Sequence, residues 1–134
     1  MSDPLQPFPP KQTLLLILLP LLGTFVSLRL YLHLVGVQHV YPGGYLVHHL
    51  FTGVLMVLPA AFVLAFEPRR RWLAVAARVA LGSGSAMVLD EITYLVMTKA
   101  TDADYVSPVS LYGAFAFISM GVLLLCMIFK SRRP

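Results

Sequence analysis

With 134 residues, 58% of them hydrophobic and only 12% charged, and a mean hydropathy of +0.80, the chain is too apolar for a soluble domain of its size. Its formal charge of +4 is carried by short basic flanks beside apolar runs, so nucleic acid is not expected as a partner, whereas a bilayer is. Four such runs, approximately 13–35, 45–66, 72–97 and 109–129, each approach the ~20 residues that cross about 30 Å of hydrocarbon. The expectation is an all-α integral membrane four-helix bundle, a single transmembrane domain over residues 1–134.

The first run follows the Pro-rich segment S2-D-P-L-Q-P-F-P-P10, which has no basic cluster. No A-x-A-like cleavage site comes after it and the apolar stretch continues past Arg29, so the run reads as a retained helix and not as a signal peptide. Pro20 is a tolerated kink. Arg29 and His33, four apart, share one face near the far end of this helix. Y41-P-G-G44 then makes a tight turn, with His39 just before it.

Basic residues set the orientation. Arg69, Arg70 and Arg71 separate the second and third runs, and Lys130, Arg132 and Arg133 follow the fourth, while the first loop has no Lys or Arg and the third has only Lys99 beside Asp102 and Asp104. Both termini are therefore expected on the cytoplasmic side of the cell's inner (plasma) membrane.

The second run places His48 and His49 about one turn inside its helix. On a helical wheel Tyr45, His48, His49, Thr52, Gly53, Met56, Pro59 and Ala60 share one arc, against Leu50, Phe51, Val54, Val57, Leu58 and Phe62. In the third run Ala76, Ala80, Ser83, Gly84, Met87, Asp90, Glu91 and Tyr94 likewise fall opposite Leu81, Val88, Leu89, Ile92 and Val96. G82-S-G84 reads as a packing element of the small-xxx-small kind, not a phosphate loop, because no strand precedes it. The acidic pair lies about 27 Å beyond Trp72 at ~1.5 Å per residue, at the outer level where His33, His48 and His49 also arrive.

Ionisable groups inside a membrane are costly unless paired, and mark sites. Arg29 is expected to pair with Asp90 or Glu91. The remaining donors, His48, His49, Asp90 and Glu91, with His33 as a further candidate, form a ligand set suited to zinc or non-haem iron. Adjacent histidines point ~100° apart, so the H-H pair alone chelates less cleanly than H-E-x-x-H, and the Glu-x-x-His repeats of di-iron bundles are absent. Haem, ligated by His33 with His48 or His49, is the weaker expectation, since it leaves the carboxylates without a role.

Two functions stay open. In a metal-dependent membrane enzyme, Glu91 or Asp90 would be the general base and Arg29 would receive an anionic group. In a non-catalytic subunit or accessory protein the same cluster only fixes helix packing. Membrane lipids are the expected surroundings, and a homo-oligomer or larger membrane complex is compatible with either. Tyr45 and Tyr94 read as interfacial belt residues, Ser107 and Ser110 as too generic for nucleophiles, and the single cysteine, Cys126, as a packing residue.

The segments H48-H-L-F-T-G53 and G82-S-G-S-A-M-V-L-D-E91 resemble a pattern in small, uncharacterised bacterial and archaeal integral membrane proteins, which carry a His-x-His-His-x-x-x-Gly helix followed by a Gly-x-Gly-x-Gly-x-x-x-Asp-Glu helix. Leu46 stands in place of the first histidine of that pattern and Ala86 in place of its third glycine. The resemblance covers the two middle helices; it implies a site, and no particular reaction.

Overall fold

The computed structural model describes residues 8–37 and 48–131. His39, the turn at 41–44, Tyr45, Leu46, Arg132 and Arg133 lie outside the described residues. Within them the fold is all-helical: α1 (Pro10–Val35), α2 (His49–Ala65), α3 (Arg71–Met97), the short α4 (Asp102–Tyr105) and α5 (Pro108–Ser131). The helices α1, α3 and α5 are long and apolar enough to cross a membrane, whereas α2, with 17 residues, is a shorter apolar helix. At ~1.5 Å per residue it spans about 26 Å.

Local chemistry explains the ends. Pro10 occupies the first turn of α1, where a missing N–H costs nothing, and Gly36 ends the helix with φ 84°. After α3, the Thr98 hydroxyl donates to the Tyr94 carbonyl (2.6 Å) and the Tyr94 hydroxyl donates to the carbonyl of Ala100 (2.7 Å). These bonds hold Ala100 at the positive φ of 55°. Thr101 and Asp104 then form a reciprocal capping box at the start of α4. The Thr101 hydroxyl, bonded to the Asp104 carboxylate, holds it below the usual carboxylate range. Ser107 opens α5, its Oγ accepting from the Ser110 N–H (3.3 Å).

The helix α2 begins later than its apolar run. His48 is the extended N-cap residue, with φ −74° and ψ 147°, and His49 is the first helical one. The histidines therefore stand at the mouth of the helix instead of one turn inside it. This changes their chemistry, because the free N–H groups of a helix start lie beside them.

The central helix is α3, packed against α1, α2 and α5. Glycines on two of its sides permit the approach. A Cβ on Gly84 would come within 2.7 Å of the Gly53 carbonyl oxygen of α2. A Cβ on Gly82 would collide with the Ile17 backbone of α1, and one on Gly113 of α5 with Thr93. The matched pairs make α2 and α5 antiparallel to α3, and α1 parallel to it.

Because α3 is enclosed on three sides, the two-arc reading of its faces fails. Ala74, Ala77, Gly82 and Ala86 are buried and Ala76 is exposed, while Leu89 packs against the core of Leu21, Phe25, Ala86, Ala114 and Ile118. Phe25 of that layer meets the exposed Phe115 edge to face, with centroids 5.2 Å apart. On α2, which rests mainly on α3, the buried stripe is Gly53 and Ala60, with Met56 and Val57 at the Gly84 contact. Thr52 and Pro59, expected inward, are exposed. Phe51, Leu55 and Phe62 on α2, and Leu19, Val26 and Leu34 on α1, are exposed apolar side chains of the kind a bilayer covers.

Candidate functional site

One end of the helices gathers most of the polar residues singled out in the sequence. Asp90 and Glu91 are adjacent on α3, so their side chains diverge by ~100°: Asp90 turns toward α1 and α4, Glu91 toward α2. Both carboxylates are almost fully buried, their side chains 1% and 2% exposed. Burial on this scale requires partners for every oxygen, and each oxygen has one.

Asp90 Oδ1 accepts from Arg29 Nε at 2.6 Å. The pair expected between Arg29 and one of two carboxylates is thus formed with Asp90. The rest of the Arg29 guanidinium donates to the carbonyls of Asp90 (3.2 Å), Tyr105 (3.4 Å) and Ser110 (3.4 Å) and to Ser110 Oγ (3.3 Å). Asp90 Oδ2 receives the Tyr105 hydroxyl (3.2 Å) and lies 3.3 Å from His49 Nε2.

Glu91 Oε2 accepts the backbone N–H of Leu50 (2.8 Å). Leu50 is the second residue of α2, so this carboxylate caps from another helix a start whose own N-cap side chain, His48, makes no cap bond. Glu91 Oε1 lies 3.2 Å from His48 Nδ1 and 3.3 Å from His49 Nδ1. The His49 ring therefore bridges the two carboxylates, one nitrogen toward each. Its side chain and that of His48 are 22% and 23% exposed, which makes the imidazoles the accessible edge of the cluster.

Tyr105 closes the cluster from α4. Its hydroxyl is 3.2 Å from both ring nitrogens of His49, its ring packs at 4.6 Å from Tyr94, and the Arg29 guanidinium lies 5.5 Å from its centroid. Burial, followed by the charges of Asp90 and Glu91, pushes its phenol well above the ordinary range. Toward the membrane interior the apolar layer of Phe25, Ala86, Ala114 and Ile118 follows directly. No described polar chain leads onward across the bundle.

The four residues expected as metal ligands, His48, His49, Asp90 and Glu91, are brought together. They are not spread around one point: among the described residues no group of three or more His, Cys, Asp or Glu is placed to hold a metal ion. The bridging posture of His49 fits this, since its two ring nitrogens diverge and each is turned to a different carboxylate. His33 is exposed on α1, and among the described residues no hydrogen bond or ion pair joins it to the cluster. Tyr94, read as a belt residue, is buried and braces the loop after α3.

Tyr105, Ser110 and the Leu50 N–H are members that sequence reasoning missed. For Tyr105 a signal existed: T101-D-A-D104 is a capping-box pattern that marks a helix start, and Tyr105 lies in the first turn that follows. No family model, curated protein or solved structure matches the chain.

Proposed function

We propose that the chain is a multi-pass membrane protein of four membrane helices with both termini cytoplasmic, acting as a non-catalytic subunit or accessory protein whose polar cluster locks the outer ends of its helices. One observation carries this reading: all four carboxylate oxygens of Asp90 and Glu91 are already engaged by groups from α1, the start of α2, and α4. A cluster whose hydrogen bonds close on one another specifies helix pairing, with every carboxylate oxygen already holding a partner within the protein. The basic residues between α2 and α3 and at the end of α5 support the orientation. So does the apolar surface of α2, whose 26 Å can cross with modest local thinning of the bilayer.

A second reading, a metal-dependent membrane enzyme, is favoured by the donor set: two imidazoles and two carboxylates within 3.3 Å of one another in pairs suit zinc or non-haem iron. Glu91 or Asp90 would then be the base and Arg29 the anion-binding group, after His49 had turned both nitrogens away from bridging. The experiment is metal content of wild type purified without chelator and supplied with zinc and iron, beside His48→Ala, His49→Ala, Asp90→Asn and Glu91→Gln. Metal-free wild type with variants that lose helix assembly supports the structural role. Stoichiometric metal, lost in both histidine variants while the helices stay assembled, overturns it in favour of the enzyme.

A further inference from the structure

The opposite end of the helices holds two guanidinium groups that have converged with no acid between them among the described residues. Arg71 and Arg78, two turns apart on α3, both lie over the ring of Phe8, at 4.9 and 4.5 Å from its centroid. Among the described residues neither makes an ion pair. Arg78 donates from one terminal nitrogen to the Ala74 carbonyl (2.8 Å), while its Nε is buried with no hydrogen-bond partner. The charges nearby among the described residues are Arg69, Arg70 and the exposed Glu67, and Lys11 lies in the first turn of the parallel helix α1.

Depth makes this arrangement informative. Trp72, 63% exposed, marks the headgroup level as interfacial tryptophans do, and Arg78 lies six residues further in, about 9 Å at ~1.5 Å per residue. A guanidinium at that depth is retained only when it reaches the interface or an anion. Two of them against one ring repel each other, and an arginine fork matches the paired oxygens of a phosphate. We propose that Arg71 and Arg78, aligned by Phe8, hold the phosphate of an anionic phospholipid at the basic end of the bundle. The lipid is favoured over free phosphate because its chains can lie along the apolar flank beside Arg78, where Val79 is exposed.

The test is native mass spectrometry of the full chain released from vesicles of equal phosphatidylglycerol and phosphatidylcholine. Wild type retains phosphatidylglycerol selectively. Since a basic residue near the surface is worth about fivefold in anionic-lipid binding, Arg71→Gln lowers that selectivity about fivefold and Arg78→Met abolishes it. Arg71 is exposed at the helix start, so its variant serves even where Arg78→Met fails to assemble. Equal retention of both lipids by wild type, or undiminished selectivity in Arg71→Gln, overturns the proposal. Thermal stabilisation in detergent by phosphatidylglycerol but not by inorganic phosphate upholds the lipid assignment; equal stabilisation by inorganic phosphate overturns it.

Discussion

Arg29 Nε lies 2.6 Å from Asp90 Oδ1, with the arginine side chain 11% exposed and the aspartate 1%, which makes this a buried pair between α1 and α3. Removing one member leaves the other charged and unpartnered, at about 3–5 kcal/mol, and removing both should cost less than the sum. The expected result for Arg29→Met with Asp90→Asn is therefore a strongly non-additive cycle in detergent unfolding. Arg29→Met with Glu91→Gln, which are not bonded to each other, should show the smaller coupling. Equal coupling in the two cycles would refute the assignment of Arg29 to Asp90.

The contact between Gly53 and Gly84 fixes how closely α2 approaches α3. A methyl group at Gly84 would meet the Gly53 carbonyl at 2.7 Å and the Met56 and Val57 side chains at 2.9 Å. Gly84→Ala should thus cost about 1–3 kcal/mol by overpacking. Gly23 on α1 has nothing within 4 Å of its added Cβ, so Gly23→Ala should leave thermal stability unchanged or raise it by up to ~1 kcal/mol through helix propensity. A comparable loss in both variants would show that the close approach at Gly84 is not what distinguishes them.

Tyr105 links the chemistry of the cluster to pH. Its folded phenol titrates above the ordinary value of 10.0, so its contribution to stability is present in full below the unfolded pKa and is lost as pH rises from there toward the folded one. Tyr105→Phe should lose about 1–3 kcal/mol near neutral pH, from the hydroxyl bonds to Asp90 and His49. Above pH 10 the gap between wild type and variant should close, because only wild type carries the ionising group. A constant difference between the two across neutral and alkaline pH would count against a buried, carboxylate-facing hydroxyl.

What was legible in the sequence follows from what kind of signal each residue gave. Apolar length located α1, α3 and α5 because bilayer thickness sets it directly, and the intramembrane charges stood out because burying them is expensive. Helical phase served less well. It assumes one inward face, which suits α2, whose burial is mostly against one neighbour; yet even there the stripe was off by a residue, leaving Thr52 out and bringing Val57 in. On α3, enclosed by three helices, no single arc exists: Leu89, expected outward, packs against the core while Gly84 is buried against α2. The start of α2 was misplaced because no capping side chain marks it: Glu91, 41 positions away from Leu50, supplies the cap. Arg29 was readable as needing a carboxylate, but the choice of Asp90 rests on the divergence of two adjacent side chains, which depends on the rotation of α3 in the assembled bundle.

Orientation is open to a direct chemical measurement. In a Cys126→Ser background, a cysteine at Ala103 in α4 lies beside the cluster and one at Arg70 lies at the basic end. A membrane-impermeant maleimide applied to intact cells should label Ala103→Cys and spare Arg70→Cys, as the basic flanks require for cytoplasmic termini. The reverse pattern would put the His and carboxylate cluster on the cytoplasmic side.

Glu91 and the start of α2 give the most local of these tests. The Leu50 N–H donates to Glu91 Oε2 at 2.8 Å, whereas the next amide, Phe51, is already satisfied by the His48 carbonyl at 3.0 Å. Glu91→Ala removes the acceptor and also the negative charge that complements the positive end of the helix; Glu91→Gln keeps an acceptor oxygen and removes only the charge. Leaving a buried donor unsatisfied costs about 1–3 kcal/mol, so amide exchange at Leu50 should accelerate about 5- to 150-fold in Glu91→Ala. Glu91→Gln should give a smaller increase, and Phe51 should respond less than Leu50 in both. Unchanged exchange at Leu50 in a folded Glu91→Ala protein would mean that α2 starts without help from α3, and the closed-cluster reading would lose its link between these two helices.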